Sequence, residues 1–152
     1  MNTMYAIASD HAGLPLKRSI EEHLKERGIE YKDYGTDTEA SCDYAVFGKR
    51  ACDAVMRGEC ERAILCCGTG VGISIAANKV RGIRCVCCSD PYSAAMGRRH
   101  NDANALAIGA RVVGTELANF IVDAFLDAAF EGDRHARRVG KIMAIERGEE
   151  IE

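Results

Sequence analysis

The sequence predicts an α/β fold, with five short strands in a parallel sheet and helices on both of its faces. Three observations carry this reading. Short apolar runs alternate with amphipathic stretches of helical period along the whole chain. Strands that alternate with helices form parallel sheets covered on both sides. The 152 residues contain no linker, low-complexity tract or internal repeat, and that length suits one domain with a sizeable core.

The elements follow in order. "MYAIAS" is an apolar strand, and "LPLKRSIEEHLKERG" an amphipathic helix with Leu16, Ile20 and Leu24 on one face, closed by Gly28. "IEYKDY" is the second strand. Asp43 is placed to cap a helix through "YAVFGKRACDAVMRG". "RAILCC" is the third strand, and "GISIAANK" a short helix after a run of glycines. "IRCVCC" reads as a fourth, buried strand. Asp90 and Pro91 open the next helix, with Pro91 at a tolerated early position. "ALAIGA" is the fifth strand and "TELANFIVDAFLDAAF" a strongly amphipathic helix. The tail, residues 134–152, is polar and helical in propensity.

Composition narrows the function classes. Hydrophobic residues make up 47% and charged residues 28%, an ordinary globular balance. A net charge of −3 gives no electrostatic case for nucleic acid. No apolar run approaches the roughly 20 residues of a membrane span. The opening residues lack the basic and long apolar regions of a signal peptide, so the chain reads as cytoplasmic, with its eight cysteines reduced. No C-x-x-C pair occurs, and Cys85, Cys87 and Cys88 read as packing residues, so no metal is expected.

In such sheets ligands bind at the carboxyl ends of the strands. "SDHAG" follows the first strand there and "CGTGVG" the third. In the second stretch Gly68, Gly70 and Gly72 are separated only by Thr69 and Val71. Glycines let a backbone turn its N–H groups inward, and the following helix start adds free N–H groups of its own. Such a loop suits an anion or a developing oxyanion, and it favours the thiolate of a neighbouring cysteine. A tight turn without a ligand is the plainer alternative. Side-chain alternation puts Cys66 and Cys67 on opposite faces, with Cys66 in the core. The loop is not the G-x-G-x-x-G dinucleotide fingerprint and lacks the Gly-Lys of a P-loop. It is also not a Cys-x5-Arg phosphatase loop, since position 73 is Ile73.

"SDHAG", "CGTGVGISIAANK", "PYSA", "RRHNDANALAIGARVVG" and "EGDRHARRV" occur in this order. Together they resemble the type B ribose-5-phosphate isomerase family, which includes galactose-6-phosphate isomerase subunits. The resemblance runs from about Met4 to Glu146. It implies a Rossmann-like three-layer αβα sandwich, no cofactor, and a homodimer or dimer of dimers with sites at the subunit interface.

The chemistry implied is aldose–ketose isomerisation of a phosphorylated sugar through an enediolate. Cys67 would be the base, since the other branch of the family uses a glutamate at the position of Val71. The amides of Gly68, Thr69, Gly70, Val71 and Gly72 would hold the enediolate oxygen. His100 would open the sugar ring, with Thr69 assisting. Asn101 and Asp10 would bind sugar hydroxyls, and Tyr44 would line the sugar pocket. Arg134 and Arg138, four apart on a helix, would bind phosphate together with His11 and Arg111. His100, Asn101 and Arg111 would come from the second subunit. Asp43-Tyr44-Ala45-Val46 departs from the family's Asp-Tyr-Pro-His at the rim. Allose 6-phosphate or galactose 6-phosphate is an alternative substrate, and a Rossmann-type nucleotide-binding module or a cysteine hydrolase an alternative function.

Overall fold

The computed structural model describes residues 3–152. The strands are β1 (Met4–Ser9), β2 (Glu30–Asp33), β3 (Arg62–Cys67), β4 (Cys85–Cys87) and β5 (Ala105–Gly109). The helices are α1 (Leu14–Glu26), α2 (Tyr44–Met56), α3 (Val71–Asn78), α4 (Pro91–Asn101), α5 (Thr115–Asp127) and α6 (Arg134–Glu146). All strand pairs are parallel, in the order β2-β1-β3-β5-β4.

Alternation along the three central strands builds two cores of different character. Tyr5, Ile7, Ile64, Cys66, Leu106 and Ile108 face α1, α4 and α5. Ala6, Ala8, Ala63, Leu65, Cys67, Ala105 and Ala107 face α2 and α3. The alanines let α2 and α3 approach closely, while the branched side chains fill the opposite layer. On α1, Leu16, Ile20 and Leu24 are buried as their spacing predicts. α6 packs against α4 and buries only His135 and Val139.

Two expectations are corrected here. "IRCVCC" is not a buried strand: β4 has three residues, Cys85 and Cys88 are half-buried, and Cys87 is exposed. The chain passes from β3 to β4 and then returns to lay β5 between them, so β4 is left at the edge. Asp43 holds the N-cap position of α2 but makes no side-chain cap bond. Asp90 does cap α4, accepting from the Ser93 N–H at 2.6 Å, with Pro91 in the first turn. The tail helix ends at Glu146, before the chain does.

β1 leads to β2 on one side of the sheet, and β3 leads to β4 on the other. Their carboxyl ends therefore flank a crevice at the point where the strand order reverses.

Candidate active site

The crevice between β1 and β3 is a cavity of about 470 Å³ lined by Asp10, His11, Cys42, Tyr44, the Cys67–Gly72 loop and Arg111, among others. Three larger clefts, of about 510, 580 and 650 Å³, open elsewhere. None contains a strand-end thiol beside a glycine loop.

The loop is set by its backbone. Gly70, the N-cap of α3, has φ 81°, and a Cβ there would lie 2.9 Å from the backbone of Ile108. Only glycine fits both conditions. Its N–H donates to the Cys67 Sγ at 3.1 Å. The Val71 N–H donates to the Thr69 hydroxyl at 3.2 Å. Two of the five amides thus serve the loop itself. Cys67 is 4% exposed, at the floor of the cavity. Cys66 is fully buried in the opposite layer, and burial, reinforced by Cys67, pushes its thiol well up from the ordinary range.

The β1 side is held equally closely. A Cβ on Gly13 would lie 2.3 Å from the Cys66 carbonyl oxygen, so the start of α1 rests directly on the end of β3. Asp10 is 5% exposed and accepts the Gly13 N–H at 2.9 Å. His11 Nδ1 accepts the Cys42 N–H at 3.2 Å. With Nδ1 accepting, Nε2 carries the proton of the neutral ring and is the donor.

Arg111 departs from expectation, since it lines the pocket of its own chain. β5 lies beside β3 with Gly109 opposite Cys67, and the Arg111 N–H donates to the Gly68 carbonyl at 2.9 Å. A residue two beyond Gly109 is bound to reach this loop.

The remaining candidates form a second cluster. α4 ends at Asn101, just before β5 begins at Ala105 opposite Ala63. His100 and Asn101 therefore sit at the amino end of the sheet, about 13 Å from the Cys67 end along the strands. Asn101 lines the 650 Å³ cleft beside α6. The His100 ring stacks on His135 of α6, with centroids 4.1 Å apart. Arg134 and Arg138 are exposed on the same helix. Glu131 reaches both imidazoles with Oε1, at 3.8 Å from His100 and 3.7 Å from His135. Its Oε2 accepts from Arg99 Nε at 2.6 Å, and this bond holds the carboxyl below its ordinary range. Burial, then the neighbouring His100, push the His135 imidazole down, toward the neutral form.

Comparison with known proteins identifies the family. The ribose/galactose isomerase family matches residues 5–142. The chain belongs to the ribose/galactose isomerase family. Ribose-5-phosphate isomerase B of Escherichia coli is 55% identical over 141 residues, covering 93% of this chain and 95% of that protein. A ribose-5-phosphate isomerase B structure from Clostridium thermocellum superposes with TM-score 0.94 at 55% identity, covering 96% and 99% of the two chains. The Mycoplasma genitalium enzyme, solved with bound ribulose-5-phosphate, superposes with TM-score 0.91 at 42% identity, covering 97% and 98%.

Within this ribose/galactose isomerase fold, sequence reasoning missed Cys42, Asp43, Glu131 and His135. Cys42 and Asp43 line the cavity because they immediately precede Tyr44. Their place beside the atypical rim was the available signal. Glu131 and His135 meet His100 across more than thirty residues, and no local spacing announces that contact.

Proposed function

We propose that the chain is an aldose–ketose isomerase that interconverts D-ribose 5-phosphate and D-ribulose 5-phosphate. The observation that carries this reading is the Cys67 thiol, set at a strand end against a glycine loop in a pocket that also holds Asp10, His11, Tyr44 and Arg111. The family and the names of its relatives point to the same reaction.

The open-chain sugar lies with C2 against Cys67. The thiolate takes the C2 proton, and the bonding pair becomes the C1–C2 double bond of an enediolate whose charge rests on O1. Gly68, Thr69 and Gly72 amides are available to that oxygen, where preorganised donors act most strongly on developing charge. The proton returns to C1, the O2 hydroxyl proton passes to O1, and the ketose results. Asp10 and Tyr44 bind the sugar beside the loop. His11 and Arg111 contribute to the phosphate end.

The substrate is mostly cyclic, and His100, aided by Thr69, opens the ring by proton transfer between the C1 hydroxyl and the ring oxygen. His100, Asn101, Arg134 and Arg138 lie at the amino end of the sheet, away from Cys67 of the same chain. The complete site is therefore assembled from two copies, with Cys67, Asp10, His11, Tyr44 and Arg111 from one and the α4–α6 cluster from the other. Exposed apolar side chains support such a pairing: Val71 and Ile75 on α3, Tyr92 on α4, Val112, and Leu117 and Phe120 on α5. Among the described residues no helix is long and apolar enough to cross a membrane, and the reading sets the enzyme in the cytoplasm.

A coupled assay across five- and six-carbon sugar phosphates tests the reaction. Turnover is expected to be fastest with ribose 5-phosphate and to disappear in Cys67→Ala. Preference for a six-carbon phosphate, or full activity without the thiol, would overturn it.

A further inference from the structure

A base acts along a lone pair in the plane of its ring, so the imidazole that opens the sugar needs a fixed plane. Among the described residues no hydrogen bond holds the His100 ring. Glu131 Oε1 lies 3.8 Å from its Nε2, near enough for charge and too far for a bond. What touches its face is the ring of His135, with centroids 4.1 Å apart and planes within 6° of parallel. We propose that His135 is a positioning residue for ring opening, a flat seat that sets the plane of the His100 imidazole. The proposal rests on the ring-opening role of His100 given above and deepens it.

The seat is built into the fold. His100 is the penultimate residue of α4 and His135 the second of α6, so the stack joins two helix ends. The segment that leads into α6 is tied to α4 twice beside it. The Glu131 N–H donates to the Arg99 carbonyl at 2.9 Å, and Arg99 Nε donates to Glu131 Oε2 at 2.6 Å. His135 is 5% exposed and one of two buried residues on α6, whereas the His100 side chain is 37% exposed. One ring is enclosed and the other reaches solvent, as a support and a working group should.

A buried imidazole is a costly choice for packing alone. Its Nε2 has no hydrogen-bond partner among the described residues, and an unpaired buried nitrogen lowers stability. An aliphatic side chain would fill the space without that cost, but it would offer no flat face. The charge fits as well. In ring opening His100 takes the C1 hydroxyl proton, the C1–O4 bond breaks with its electron pair going to O4, and the proton passes to O4. His100 is therefore positive for part of the step. Burial, then His100 itself, hold the His135 imidazole below its ordinary range, so the seat is neutral and does not oppose that charge. The Glu131 carboxylate favours it. Arg99 is engaged by Glu131, and in the reading above Arg134 and Arg138 are engaged by the phosphate.

Ring opening can be read apart from isomerisation. A Cys67→Ala enzyme lacks its base but can still exchange the α and β furanose forms of ribose 5-phosphate through the open chain. NMR magnetisation transfer between the two anomers measures that exchange. Cys67→Ala should speed it over the uncatalysed rate, and adding His100→Ala should remove the gain. In the same background His135→Leu and His135→Gln should each lower the gain by about ten- to a hundredfold, since a small misplacement of a reacting group costs that much. His135→Phe restores a flat face and should stay within about threefold of Cys67→Ala alone. Inorganic phosphate should bind equally well to all of these proteins, because Arg134 and Arg138 lie on the same first turn of α6 and would register a displaced helix. Full exchange with Leu and Gln, equal loss with Phe, or phosphate affinity that falls in step with exchange would overturn the seat. If Cys67→Ala gives no exchange above background, the ring-opening role of His100 falls and the seat with it. Turnover of ribose 5-phosphate by the parent reads the isomerase assignment separately.

Discussion

Cys66 and Cys67 are neighbours in sequence and occupy opposite layers of the sheet. Cys67 reaches the floor of the pocket with its sulfur on the Gly70 N–H, and Cys66 is enclosed by the α1 and α5 side chains. Cys67→Ala is expected to abolish isomerisation with little change in Tm. Cys66→Ala should cost about 1–2 kcal/mol of stability and leave most activity. Denaturant unfolding with a coupled assay on both variants checks this, and equal loss of activity in two folded proteins would contradict it. The arginines of α6 divide in the same way. A charge-assisted arginine–phosphate contact is worth about 1.5–3 kcal/mol, or roughly ten- to more than a hundredfold in an equilibrium constant. Arg134→Ala and Arg138→Ala should lower kcat/KM for ribose 5-phosphate by that factor, and Arg137→Ala should do little. Inorganic phosphate should compete less well in the first two variants. A sensitive Arg137 would contradict the assignment. That Cys67, its loop and the residues after β1 meet in one pocket was legible in the sequence, because each follows a strand end. Arg111 was assigned to the wrong subunit because its neighbour is set by strand register, which a linear motif does not carry.

At the scale of elements, most boundaries followed from hydrophobic period and punctuation. β1 and β3 are the runs expected, and α1 and α4 begin at their proline-bearing turns. The burial of β4 did not follow. An apolar run of that kind looks the same at the centre of a sheet as at its edge, and strand order decides which it is. The glycine loop shows how much one element junction carries. Gly70→Ala would need a positive φ for an alanine and would press its Cβ on Ile108. It should cost about 1–3 kcal/mol and move the N–H from the Cys67 sulfur, so kcat should fall more than KM rises. Activity equal to the parent would contradict the role given to the loop. The seam between α1 and β2 makes a pH prediction. Lys17 is fully buried and paired with Asp33 at 2.7 Å. Burial first, then the hydrogen bond and charge of Asp33, push the Glu21 carboxyl up to about 7. A raised acid binds its proton more tightly in the folded than in the unfolded state. The stability it gives is therefore full below about pH 4.3 and is lost as pH rises to about 7. Glu21→Gln should flatten that fall and stabilise the protein at pH 8 by roughly 1–2 kcal/mol. Unfolding curves from pH 4 to 8 check the slope, and an unchanged slope would contradict it.

At the scale of the molecule, the fold separates what the reaction has to bring together. β1 and β3 present Cys67, Asp10 and His11 at the carboxyl end of the sheet. α4 returns His100 and Asn101 to the amino end, where α6 adds Arg134 and Arg138. The fold class was legible from alternation, and the two clusters of proposed site residues were visible as separate motifs. That they lie at opposite ends of one chain is a property of topology alone. The account therefore requires a second copy, and complementation tests it most directly. Cys67→Ala and His100→Ala chains, each inactive alone, are mixed under conditions of subunit exchange, and the heterodimer is isolated by two different affinity tags. It should regain up to about half of the parent activity, because one of its two sites carries both intact residues. A verified heterodimer as inactive as its parents would contradict the shared site and place both groups in one chain.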